Sequence, residues 1–176
     1  DEVERIVEDI RRLLDEVRRE VEKVSRENKE LVDRVREKVK EISKRNKKLA
    51  KDLTDLVREG SRDKRELERD LERINEEMRK LIRDLERELR EIDKRMDDLV
   101  REIEEKLRRI IEKLERELGD KELLDRIKEE IERVIKEIRE LVEENKRTNE
   151  EVLRRIRELA RRNEEENKRV LEDIRR

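Results

Sequence analysis

A chain of 176 residues that is 61% charged, with no aromatic, histidine, cysteine or proline residue, excludes much chemistry at the outset. It offers no imidazole base, no thiolate nucleophile, no ordinary zinc or haem ligand set, and no ring to stack on a base, flavin or sugar. With 53 basic residues against 55 acidic ones the formal net charge is −2, so no overall bias draws the chain to nucleic acid or to an anionic membrane.

Such dense charge would suit a disordered chain, except that the 31% apolar residues recur periodically in a Glu/Lys/Arg/Leu alphabet that favours long helices. Three helices are predicted, at 2–59, 62–118 and 121–175. The first opens with Val3, Ile6, Val7, Ile10, Leu13, Leu14 and Val17 on one face. "REGSRD" then places Gly60 as a left-handed residue closing that helix, with Ser61 or Asp63 able to cap the next. The Asp63-to-Glu66 spacing also fits a capping box. The second helix carries Leu67, Leu71, Ile74 and Met78 on its apolar face. "ELGDKE" repeats the punctuation, with Gly119 in the role of Gly60 and Asp120 as cap of the third helix.

Each apolar set recurs after 18 residues. Leu67, Leu85 and Ile103 form one such column; Leu71, Leu89 and Leu107 form another; in the third helix Ile138, Ile156 and Ile174 do the same. Eighteen residues make about five turns of an α-helix, whereas a seven-residue repeat would impose a left-handed supercoil. The helices are therefore expected to be long and nearly straight. Links of two residues make consecutive helices antiparallel. The fold class expected is all-α: a single-chain, up-down-up three-helix bundle, residues 1–176 forming one domain.

Five columns break the aliphatic pattern. Each is aliphatic in one repeat and polar in two: Val7/Ser25/Ser43, Ile10/Asn28/Asn46, Ile111/Asp93/Asn75, Ile127/Asn145/Asn163 and Ile131/Asn149/Asn167. In an antiparallel hairpin, facing residues share one index sum. The pairs 10/111, 28/93 and 46/75 share a sum centred on Gly60, and 111/127, 93/145 and 75/163 share one centred on Gly119. Polar residues therefore face polar residues at two levels. One candidate hydrogen-bond layer comprises Ser25, Asn28, Asp93, Asn145 and Asn149; the other comprises Ser43, Asn46, Asn75, Asn163 and Asn167.

An Asn amide offers two donors and an acceptor, so several can close a network among themselves. A buried amide left unpaired costs about 1–3 kcal/mol, which penalises misaligned helices. A buried Asn plays this part in coiled coils. Asp93 is open to two readings, an acceptor-only member of its layer or a carboxylate reaching water. Thr54 and Thr148 sit at arc edges, open to two readings, an extension of a polar network or small edge filler, and Met78 and Met96 read as core gap fillers.

The basic run 34–51, with nine Lys/Arg against two Glu, reads as a solvated face because no aromatics interleave. Pairs at four-residue spacing, such as Glu86/Arg90, read as surface support within one helix. No phosphate loop, metal-spaced cluster or nucleophile elbow occurs. No stretch of about 18 apolar residues marks a membrane span, and the opening residues do not read as a secretory signal. With no cysteines, the redox compartment stays open.

The uniform 18-residue modules, the loops "EGSRD" and "LGDKE", the missing residue types and the Ser/Asn layers resemble de novo designed parametric helical bundles with modular buried hydrogen-bond networks. The resemblance spans the whole chain. It implies a highly stable soluble scaffold with no natural substrate or host; the missing residue types and the solvated charged faces lead to the expectation of no enzymatic activity, no cofactor and no nucleic-acid or membrane partner. A monomer is expected. The alternatives are a designed interaction module, as a homo-oligomer or switch built from three-helix protomers, and an amphipathic lipid-surface protein.

Overall fold

Long helices form here because nothing in their interiors stops them. The structure, a computed structural model, describes residues 2–60 and 64–175. It contains α1 (Glu2–Arg58), α2 (Lys64–Glu117) and α3 (Lys121–Arg175), with no strand among the described residues. Both glycines fall between helices, and i,i+4 ion pairs such as Glu151–Arg155 and Glu158–Arg162 support the exposed faces. Arg58 and Arg116 lie in last turns, and Glu66 and Glu122 in first turns, where their charges complement the helix dipole.

The two links solve the same problem differently. Gly60 has φ +73°, a left-handed conformation that costs glycine nothing. Its N–H donates to the Val57 carbonyl at 3.2 Å, and that of Glu59 to the Asp55 carbonyl at 3.1 Å, satisfying carbonyls of the last turn of α1. Gly119 departs from the expectation, because its φ is not positive. The turn there is carried by Asp120, whose Oδ1 accepts from the N–H groups of Glu122 at 3.1 Å and Leu123 at 3.4 Å. With an N-cap that close behind α2, the chain changes direction without a left-handed residue. The expected caps Ser61 and Asp63 lie outside the described residues.

The chain falls into two compact units, residues 1–28 with 89–148 and residues 29–88 with 149–176. Each takes a segment of all three helices, and within each the three segments pack together. In the first unit Ile10, Leu14, Ile103, Leu107, Leu114, Leu124, Ile127 and Ile131 form a buried cluster, with Val7, Ile110, Ile111 and Leu123 packed half-buried around it. In the second, Ala50, Leu53, Leu71 and Ile174 cluster, flanked by Leu49, Leu67, Val170 and Leu171. Full burial of one such aliphatic side chain stabilises by about 1.5–3 kcal/mol. Met78 and Met96 are buried, as core fill requires.

Ion pairs between helices reveal direction and register. In the first unit Arg11–Glu130 and Arg18–Glu137 keep one offset, so α1 and α3 run parallel. Asp97–Lys146, Glu104–Arg139 and Glu115–Lys128 keep one index sum, so α2 and α3 run antiparallel. In the second unit Arg79–Glu164 and Glu86–Arg157 share that same sum. The expected up-down-up, all-α three-helix arrangement is the one observed.

Candidate functional site

Polar side chains reach the interior wherever the 18-residue columns put them on the apolar stripe. In the second unit α1 contributes Ser43 and Asn46, α2 contributes Asn75, and α3 contributes Asn163 and Asn167. Asn46 and Asn167 are completely inaccessible to solvent, Asn163 is buried, and Ser43 and Asn75 are half-buried. Asn46 and Asn167 form a reciprocal amide pair. Nδ2 of Asn46 donates to Oδ1 of Asn167 at 3.0 Å, and Nδ2 of Asn167 donates to Oδ1 of Asn46 at 2.6 Å. The second hydrogen of Asn167 Nδ2 goes to Oδ1 of Asn75 at 2.9 Å. One side chain of α3 thus uses both donors and its acceptor to tie α1 and α2 together. One turn away, Asn163 Nδ2 donates to Ser43 Oγ at 3.2 Å. The five residues expected in this layer thus fall into two hydrogen-bonded groups, Asn46–Asn167–Asn75 and Ser43–Asn163.

The other predicted set is divided between the units. Ser25, Asn28, Asp93 and Asn145 belong to the first unit, and Asn149 to the second. Asn28, Asn145 and Asn149 are buried, while Ser25 and Asp93 are half-buried. Asn28, Asp93 and Asn149 each engage in a polar or ionic interaction. Two buried side-chain atoms, Asn145 Nδ2 and Asp93 Oδ1, nevertheless make no hydrogen bond among the described residues, and a buried amide so left costs about 1–3 kcal/mol.

Beside Asn145, Lys146 reaches Asp97, with Nζ 3.0 Å from Oδ1 and 3.1 Å from Oδ2. That hydrogen bond holds the ammonium above the usual lysine range, against the opposing effect of burial, and the charges of Asp97, Glu143 and Asp93 reinforce it. Glu115 raises Lys128 and Glu164 raises Arg79, in each case first through the hydrogen bond. These shifts strengthen charges already present at neutral pH and poise no group for acid–base work.

Several expectations are settled by the remaining side chains. Thr54 Oγ1 donates back to the Ala50 carbonyl at 2.8 Å and Thr148 is exposed, so Thr54 is satisfied within its own helix. Glu86, expected to support Arg90 four residues on, accepts from Arg157 on α3. The basic residues of 34–51 are exposed, as a solvated face requires. No cluster able to hold a metal ion and no helix long and apolar enough to cross a membrane occurs among the described residues. Surface grooves are lined chiefly by charged side chains, such as Glu72, Arg79, Glu164 and Lys168 near Asn75. Reading the sequence missed the ion pairs between helices; combining the hairpin index sums with opposite charges at the stripe edges would have found them.

No family model matches this chain, and no curated protein matches it. A solved structure described as a computationally designed three helix bundle aligns with 99% of this chain and 87% of its own length. The TM-score is 0.57 at 21% sequence identity, a likeness of fold.

Proposed function

We propose that the protein is a designed structural scaffold without natural biochemical activity, and that its buried Ser and Asn residues serve to select one helix register and one topology. The observation that carries this reading is the Asn46–Asn167–Asn75 cluster, in which one amide joins all three helices. Aliphatic packing alone distinguishes poorly between alignments one repeat apart, because the repeats are nearly identical. Amides that pair only in step make the wrong alignment costly. The designed origin is supported by the uniform 18-residue modules and by the fold likeness to a designed three-helix bundle. A catalytic role has no residue to rest on.

Replacing both layers with the side chains of the aliphatic repeat (Ser25→Val, Asn28→Ile, Asp93→Ile, Asn145→Ile and Asn149→Ile together with Ser43→Val, Asn46→Ile, Asn75→Ile, Asn163→Ile and Asn167→Ile) tests the reading. Stability should hold or rise by about 1–4 kcal/mol, as when buried polar groups give way to well-packed apolar ones. Distances between spin labels on facing helices should broaden into more than one population. One sharp distance, as in the parent, would remove the polar layer's role. The scaffold is proposed to be a monomer, and light scattering checks that; a dimer or trimer mass would favour an interaction module.

A further inference from the structure

Two rows of ion pairs reverse their sign in one repeat, and we propose that this reversal is a second register code that tells the two polar repeats apart. The inference rests on the reading that register is what the buried amides secure. Between α2 and α3 one row comprises Arg79–Glu164 at 2.6 Å, Asp97–Lys146 at 3.0 Å and Glu115–Lys128 at 2.7 Å, each 18 residues from the next along either helix. The α2 member is basic in the first pair and acidic in the other two. Between α1 and α2 the row comprises Arg45–Glu77 at 2.9 Å and Glu27–Arg95 at 3.1 Å, again reversed between repeats. In the remaining repeat the same columns hold Asp9 and Lys113, with the sign order of Glu27 and Arg95.

Both reversals fall in the same repeat, and all four residues that carry them belong to the second unit. A repeating sequence does not force this, since the neighbouring pairs Glu86–Arg157 and Glu104–Arg139 keep one sign order. The consequence appears when a helix slides by one repeat. Arg79 then meets Lys146 or, in the other direction, Asp97 meets Glu164. In the second row Arg45 meets Arg95, or Glu27 meets Glu77. Every one-repeat slide turns one attraction in its row into a repulsion.

The buried amides are blind to part of this error. Both polar repeats carry Ser and Asn in the same columns of α1, so a slide still sets amides against amides at one level. The short links oppose the same slide, because it would move each turn into what is now helix. Individual exposed pairs are weak. A slide, however, loses an attraction and gains a repulsion at once, which widens the gap between the two alignments.

The chain has no cysteine, so two introduced thiols report on a single pairing. Glu86→Cys with Arg139→Cys places thiols that meet only after a one-repeat slide, because in the native register these positions face Arg157 and Glu104. The full chain carrying this pair is refolded at low salt with a short bis-maleimide, and intramolecular cross-links are counted in three backgrounds. The first is otherwise unchanged. The second is made sign-uniform by R45E, E77R, R79D and E164K, which keep every pair attractive and the net charge the same. The third carries the aliphatic replacement of both layers described above.

The sign-uniform background should trap the slid form about fivefold more than the unchanged one, and about 1 M salt should erase the difference. Circular dichroism confirms that it folds, and R79D with E164K alone should give a smaller rise. Equal trapping in the unchanged and sign-uniform backgrounds, with a rise in the aliphatic one, would overturn the charge code and leave the amide layer standing. No rise in either would overturn both.

Discussion

The polar residues of the second unit and those of the first occupy the same columns of the same repeat, yet they end in different states. In the second unit Asn167 spends both amide hydrogens and its oxygen on Asn46 and Asn75, and Asn163 reaches Ser43. In the first, Asn145 stands in the column of Asn163, with a buried nitrogen that finds no acceptor among the described residues. The α2 member also changes from Asn75 to Asp93, from an amide that donates and accepts to a carboxylate that, when ionised, only accepts. Equivalence in a repeat secures a place on the stripe. It does not secure a partner.

Asn167→Leu should break this contrast most directly. It strands the buried Asn46 and removes the partner of Asn75, so chemical denaturation should report a loss of about 2–4 kcal/mol. Asn145→Leu removes an amide whose nitrogen has no acceptor among the described residues, and should shift stability by no more than about 1 kcal/mol in either direction. Equal losses at the two sites would mean that the difference in hydrogen bonding has no energetic weight.

The two links offer a second contrast of the same kind. Gly60→Ala forces a side chain into a left-handed conformation and should cost about 1–2 kcal/mol. Gly119→Ala meets nothing within 4 Å and has no positive φ to strain, so it should stabilise by about 0.4–1 kcal/mol through the unfolded chain. Thermal melts of the two variants should therefore move in opposite directions.

The smallest effect concerns the first unit alone. Lys146 is raised in the folded state, so its stabilisation is full below the ordinary lysine value of about 10.4 and is lost as pH climbs through the raised value. Lys146→Gln should lower the melting midpoint slightly at pH 7. The gap between variant and parent should close at strongly alkaline pH. A gap that persists there would mean that Lys146 acts through packing of its aliphatic stem.

Much of this was legible before any coordinates. The spacing of Leu71, Leu89 and Leu107 identifies buried columns. The index sums centred on the two glycines set polar residues of the three helices at one level, but they face Asn75 with Asn163, whereas Asn75 accepts from Asn167, one turn on. Gly119 sits in a motif like that of Gly60, and local sequence does not reveal whether a C-terminal glycine or the following N-cap carries the turn. Spacing within one helix, visible in a string of letters, points Glu86 to Arg90, whereas its partner Arg157 is 71 residues away.

By itself the sequence determined the three helices, their apolar faces and the columns in which polar residues would be buried. These follow from the fixed geometry of one helix, 3.6 residues to the turn, which any reader of the repeat can apply. Only the tertiary structure decided which amide hydrogen meets which oxygen, which carboxylate meets which guanidinium across a helix boundary, and that Asn145 would lack an acceptor. Those outcomes depend on side-chain directions and separations of a few tenths of an ångström between helices, and a periodicity along one chain does not encode them.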